Sequence, residues 1–308
     1  MERLARFFKK IHTSGLYLAF RDAVRAIWPL WWSRDVDLNY QIQLTHTSQR
    51  LWRHYKKIIM QPIAPQVGEH SNIIWICWLQ GEDKAPDIVK ACIASIRKWV
   101  QGYEIRIITD KNLLDYATIP EYIISKYKKG KISFAHFSDI LRTCLLYEHG
   151  GIWIDATVLL TGELPEEITN EPFFIFQNKL SNDGSIAISS WLIAANTRHP
   201  ILKVTRDVLF AYWQHHNVLW DYFLIHLIFT LIVRNNPTCK ALFTSMPYAH
   251  NIDVHTLFFN LYNPWDQKQW LYITKRSSIH KLTRRFINPE LVKKEGTYYD
   301  YIVHNHNL

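Results

Sequence analysis

The run Gly151-Ile152-Trp153-Ile154-Asp155-Ala156-Thr157 constrains this chain more than any other stretch. Ile152-Trp153-Ile154 has the length and apolarity of a short buried strand, and the chain delivers Asp155 at its end. A carboxylate presented by so apolar a strand needs a partner, because a buried charge is costly unless it is paired or bound to metal. In open α/β sheets the ends of strands are also where ligands bind. Upstream, Ser138-Asp139 reads as a helix cap, followed by Ile140, Leu141, Cys144 and Leu145 at helical spacing. Gly150-Gly151 then ends the helix, where a left-handed residue is easiest to place. Asp139 and Arg142, three residues apart, share a face at the start of that helix, as a local ion pair or as part of a site.

The flanking segments supply an α/β frame. Residues 72–78 are a continuous apolar run of strand length, as in a central parallel strand. Gln80-Gly81 and Pro86-Asp87 turn the chain into a helix over 88–100, and residues 103–109 alternate as a second strand. Strand, helix and strand make a βαβ unit, the start of a Rossmann-type sheet. No G-x-G-x-x-G occurs, so the dinucleotide fingerprint is absent. The spacing further predicts a helix over 113–129, strands over 173–176 and 189–194 around a polar loop (181–185), and a helix over 201–215. Residues 218–233 hold the most apolar run. Its twelve residues from Tyr222 to Val233 are too few to span a bilayer, which needs about 20, so a buried helix is expected. Asp221 at its start is a cap or a wall of the site, and His226 within it reads as a satisfied core residue. A last strand is expected at 272–274.

Charge adds a second constraint. The net charge is +9; residues 1–60 carry eleven Lys/Arg against four Asp/Glu (+7) and residues 263–294 eight against two (+6), leaving −4 for the remainder. A basic skin at both ends of a near-neutral middle suits an anionic partner. No zinc finger, RNA-recognition signature or helix-turn-helix pattern supports nucleic acid, so an anionic membrane surface is expected. Residues 1–60 read as a basic amphipathic helical arm, 61–71 (with Pro62, Pro65 and Gly68) as a linker, and 72–308 as the main domain. Leu4, Phe7, Phe8 and Ile11 share a helical face ringed by Arg3, Arg6, Lys9 and Lys10. That face lies in a bilayer interface, or packs on its own domain or on a sister subunit of a homo-oligomer. The N-terminus does not have the pattern of a secretory signal. Cys77, Cys92, Cys144 and Cys239 are far apart with no C-x-x-C pair, as in core residues of a reducing compartment.

Ser138-Asp139-Ile140-Leu141-Arg142, then Leu146-Tyr147-Glu148-His149-Gly150-Gly151-Ile152-Trp153-Ile154-Asp155, resembles the core of GT-A-type glycosyltransferases with a DXD motif, the glycosyltransferase sugar-binding region family among them. Trp-Ile-Asp-Ala-Thr brings the capsular polysaccharide synthesis proteins nearest. The resemblance implies a GT-A-like Rossmann-type mixed sheet flanked by helices. It implies a retaining, bacterial hexosyltransferase, peripheral on the cytoplasmic face of the membrane. Its donor would be a nucleotide sugar, a UDP-sugar first, and its acceptor a lipid-linked oligosaccharide of capsular or other surface polysaccharide synthesis.

By the same resemblance, Asp139, Arg142, Asp155 and Asp221 are the catalytic set. Asp139 and Arg142 grip donor-sugar hydroxyls. Trp78, Gln80, Ser138 and Trp153 lie by the nucleotide or sugar, and Gly150-Gly151 permit close approach. Trp75 reads as core. A Mn or Mg ion would take Asp155, Thr157 and His280, with Lys281 at the diphosphate and His304 and His306 as rivals of His280. Thr157 replaces the usual second carboxylate of DXD. A neutral hydroxyl is the weaker ligand, so the metal is held less tightly or is partly replaced by a basic group such as Lys281. His136 lines the acceptor side or faces solvent. A non-catalytic sugar- or nucleotide-binding subunit of a polysaccharide assembly complex is the alternative.

Overall fold

The computed structural model describes residues 36–178, 185–285 and 289–304. The expectations for the first 35 residues, for most of the 181–185 loop and for His306 therefore fall outside the described residues. Helix α1 (Val36–Ile59) buries Leu44, Leu51, Tyr55 and Ile59, a spacing that puts them on one stripe. Residues 36–59 thus share the core of the domain. The irregular segment after α1 is tied down as well. The Asn236 amide donates to the carbonyls of Ile59 (2.9 Å) and Gln61 (3.0 Å), and the Gly68 N–H donates to Thr197 O (2.7 Å).

The βαβ unit forms as expected: β1 (Ile73–Cys77), α2 (Asp87–Trp99) and β2 (Glu104–Ile108), with β1 and β2 parallel. After α3 (Glu121–Lys128) and α4 (Phe134–His149), β3 (Gly151–Ile154) enters parallel to β1. The short β4 (Val158–Leu160) leaves the main sheet. β5 (Phe173–Gln177) and β6 (Ile188–Ala195) pair antiparallel, and β6 also runs antiparallel to β3. The order β2-β1-β3-β6-β5 is the mixed sheet of the α/β class anticipated from the sequence. Helices α5 (Pro200–His215), α6 (Leu224–Asn235), α7 (Pro237–Ser245) and α8 (Gln267–Arg276) follow. The chain then forms β7 (Ile279–Lys281), antiparallel to β4, and α9 (Tyr298–His304).

Strand alternation divides the interior into two layers. Trp75 and Trp153 face the layer that α1, α4, α5 and α6 cover. Ile74, Ile76, Ile152 and Ile154 face the opposite layer, with α2, α8 and α9. None of the four cysteines is paired.

Three expectations are corrected. Residues 113–129 are two helices, Leu113–Tyr116 and Glu121–Lys128, because Pro120 cannot continue a helix and instead starts the second. Residues 272–274 lie inside α8, whose buried Trp270 and Ile273 follow a helical step; the last strand is β7. Helix α4 begins a turn before Ser138-Asp139, since the Ser133 side chain accepts from His136 N and caps it. Phe137 then stacks on Tyr127 at 3.9 Å and seats that first turn.

Gly150 ends α4 at φ 66°, and Gly151 starts β3 at φ 93°. A Cβ on Gly151 would come within 2.3 Å of the Ile73 carbonyl oxygen, so glycine lets β3 lie against β1. Gly151→Ala should cost about 3 kcal/mol or more in denaturant unfolding, strain and backbone clash together. Gly102→Ala, at a similar φ of 76° but in open space, should cost about 1–2 kcal/mol. Equal losses would show that the close approach of β1 and β3 is not what requires glycine.

Candidate active site

An open cleft of about 550 Å³ lies at the carboxyl ends of β1 and β3. The end of β1 brings Cys77 and Trp78 to it, and Gln80 follows in the turn. The end of β3 brings Asp155, and Thr157 comes two residues later. Helix α4 adds His136, Asp139 and Arg142, placed by their three-residue spacing along one side of the helix. β6 contributes Ser190, the start of α6 His226, and the end of β7 Lys281. Arg284 and Arg285 stand exposed at the rim.

Arg142 is the centre of this group and is only 5% exposed. Its Nε donates to Ser138 O (3.3 Å), and its Nη1 donates to Ser190 O and to Ser190 Oγ (2.9 Å). Its Nη2 lies 3.4 Å from Asp139 Oδ1 and 3.3 Å from Asp155 Oδ1. The guanidinium also sits 4.9 Å from the centre of the Trp153 ring, a cation–π distance.

Asp155 has a partner on each oxygen. Oδ1 accepts from Trp153 Nε1 (3.0 Å) and faces Arg142, while Oδ2 accepts from Lys281 Nζ (3.1 Å). Burial alone would raise its pKa. The Lys281 and Arg142 charges and the bonds from Trp153 and Lys281 outweigh burial and hold the carboxyl below its ordinary value. The lining residues sum to four cations (Arg142, Lys281, Arg284, Arg285) against two carboxylates (Asp139, Asp155). The cleft therefore favours an anionic ligand.

Two imidazoles are fixed by their neighbours. The Trp213 indole N–H donates to His136 Nε2 (3.0 Å), so the neutral ring carries its proton on Nδ1, 3.4 Å from Asp139 Oδ2. Ser190 Oγ accepts from Arg142 Nη1 and is hydrogen-bonded to His226 Nε2 at 3.2 Å. Burial pushes the His226 pKa down to about 4, so the ring is neutral near pH 7.

The cleft gathers Asp139, Arg142, Asp155, Trp78, Gln80, Ser138, Trp153, Thr157 and Lys281, all singled out in the sequence. Trp153 is 1% exposed and acts as a brace, its ring against Arg142 and its N–H on Asp155. Trp75 is core, donating to Gly150 O at 2.8 Å. Three expectations are not met. Gly150 and Gly151 sit at the opposite end of β3 from Asp155, and the approach they permit is between strands. Asp221 is buried beside the cleft, accepting from Phe223 N (3.0 Å) and Gln43 Nε2 (2.8 Å), so it shapes the turn into α6 and ties it to α1. His280 is fully buried on the face of β7 away from Lys281, as alternation requires, with Nε2 3.0 Å from Thr161 Oγ1. Burial lowers its pKa to about 3. His304 pairs with Asp300 on α9.

His226, read as core, lines the cleft; the signal was a lone imidazole near the start of an otherwise apolar helix. Ser190 carries no sequence signal beyond its strand. The donor set does not fit a divalent ion. Both Asp155 oxygens already face cations, Thr157 Oγ accepts from Lys281 Nζ (2.5 Å), and His280 faces away. Among the described residues no cluster of three His, Cys, Asp or Glu is arranged to hold a metal.

Fold and cleft together define a mixed α/β protein with a cleft richer in cations than in carboxylates at the carboxyl ends of β1 and β3. Residues 28–302 match the family described as capsular polysaccharide synthesis protein, and the chain belongs to that family. None of the curated proteins matches it significantly. A solved structure titled "PaToxG Glycosyltransferase" is similar at TM-score 0.39 and 14% identity, over 68% of this chain and 86% of that one. Another, the structure of a transferase mutant, is similar at TM-score 0.34 and 13% identity, over 60% and 94%. Likeness at that level carries no argument about activity.

The lowered pKa of Asp155 links the site to stability. Its ionised form is favoured by folding, so that contribution is full above the ordinary carboxylate pKa of about 3.9 and is lost as pH falls through the lower folded value. The stability difference between the wild type and Asp155→Asn should therefore be constant from pH 7 to about 5 and shrink below about 4. Thermal unfolding across pH checks this, and a difference undiminished at pH 2 would contradict it.

Proposed function

We propose that this protein is a retaining glycosyltransferase that moves a sugar from a nucleotide-sugar donor, a UDP-sugar first, to a lipid-linked oligosaccharide in capsular or other surface polysaccharide synthesis. The observation that carries this reading is the excess of cations over carboxylates in the cleft where β1 and β3 end. Membership of the family supports it. A departing nucleoside diphosphate is an anion, and prearranged cations stabilise the charge it develops.

The residues divide the work by charge. Lys281, Arg284 and Arg285 face the diphosphate, and the Trp78 ring flanks the base, with Arg284 5.3 Å above it. Asp139 accepts from sugar hydroxyls, and Arg142, whose own donors are met within the protein, holds Asp139 and Asp155 in place. As the bond from the anomeric carbon to the phosphate oxygen breaks, the sugar becomes oxocarbenium-like. The carboxylates of Asp139 and Asp155 favour that positive charge. With retention, the acceptor hydroxyl enters on the face the diphosphate leaves, and its proton passes to the leaving phosphate oxygen. Asp155→Ala should lower donor hydrolysis and transfer by about 100-fold or more. Nucleotide release at an unchanged slow rate would favour a binding subunit instead.

The acceptor implies work at a membrane, on its cytoplasmic face. Among the described residues no helix is long and apolar enough to cross one. Helix α8 exposes Leu271 (57%) and Tyr272 (55%) beside Lys268, Lys275 and Arg276, a surface suited to anionic headgroups. Lys268→Glu with Lys275→Glu should reduce sedimentation with anionic liposomes at low salt several-fold. Equal sedimentation of the variant would exclude α8 as the contact.

A further inference from the structure

Lys281 reaches the two side chains that the Asp-x-Thr motif offers a cation. Its Nζ lies 3.1 Å from Asp155 Oδ2 and 2.5 Å from Thr157 Oγ1. The position is built into the fold. Lys281 pairs with Val158 in the β4–β7 ladder, and the next residue, Leu282, donates its N–H to Thr157 O at 2.8 Å. The side chain is 19% exposed. Arg142 and Trp153 hold the other oxygen of Asp155. A divalent ion at this seat would have to displace the ammonium and would then lie close to two retained positive charges.

The charges balance without such an ion. Two carboxylates and a divalent cation sum to zero, and so do one carboxylate and one ammonium. Thr157 in place of a second acid is therefore the complement of Lys281. An ammonium has three N–H donors; Asp155 and Thr157 take two and leave one for a phosphate oxygen. The Thr157 hydroxyl, accepting from Lys281, has its own proton to donate to the same ligand.

We propose that Lys281 occupies the seat of the divalent cation, so that this protein binds its nucleoside diphosphate and turns over its donor without metal. The inference rests on the glycosyltransferase reading and assigns a role within that site. It is tested by calorimetric titration of UDP, ADP and GDP into the full chain after exhaustive chelation and again with Mn. For whichever diphosphate binds, the wild-type Kd should agree within about twofold between the two conditions. Lys281→Met should weaken it tenfold or more in both, about 1.4 kcal/mol, and Lys281→Arg should recover part of the loss.

Electron paramagnetic resonance of Mn(II) gives a readout independent of activity and of any variant. The protein with UDP should hold no more manganese than UDP alone. Wild-type binding at least tenfold tighter with Mn, a stoichiometric bound-Mn signal, or unchanged binding by a folded Lys281→Met would each overturn the assignment while leaving the transferase reading in place. Absence of binding by all three nucleotides, with and without Mn, would remove both.

Discussion

A single buried guanidinium organises the cleft. Arg142 lies on α4, yet its donors reach Ser190 on β6 and Asp155 at the end of β3, besides Ser138 and Asp139 on its own helix. A charge so far from water is tolerable only when its donors are met, and here acceptors lie on several sides of the planar fork. The same contacts set the neighbours. Ser190 accepts from Arg142 and is hydrogen-bonded to the His226 ring, so one hydroxyl links the guanidinium to the imidazole. Asp155, facing both Arg142 and Lys281, is kept ionised. Helix, sheet and ligand-facing groups are therefore one electrostatic unit.

The scaffold holds that unit on regular elements. Asp155 stands at the end of a strand buried between two apolar layers, and Trp153 braces both Asp155 and Arg142 from inside. The small β4–β7 ladder brings Lys281 back across the chain from far along the sequence. Asp155 and Thr157 follow directly on β3, as Trp78 and Gln80 follow on β1, and the rim arginines Arg284 and Arg285 lie on irregular backbone past β7.

Local physical chemistry accounts for what was legible beforehand. The apolar run at β1, the alternation at β2 and the glycine stop after α4 each reflect rules acting within a few residues. The same holds for Asp155 at the end of an apolar strand. The misplacements had local causes too. Ser133 competes with Ser138 as a cap and has Phe137 to seat its turn. Residues 272–274 form a helix because Trp270 and Ile273 bury one face. At β7 the strand parity decides between adjacent residues, sending Lys281 to the cleft and His280 into the core.

By itself, then, the sequence determined the α/β class, the short buried strand, the carboxylate at its end and the acid–guanidinium pair nearby, since each follows from periodicity and the cost of burying charge. It also showed that Thr157 departs from a two-acid motif. Only the tertiary structure decided which cation meets Asp155, that His226 and Ser190 join the cleft, and that Asp221 and the glycine pair serve the backbone. Those outcomes depend on contacts between residues dozens to more than a hundred positions apart. Strand register and side-chain parity set such contacts, and they exist only once the sheet has formed.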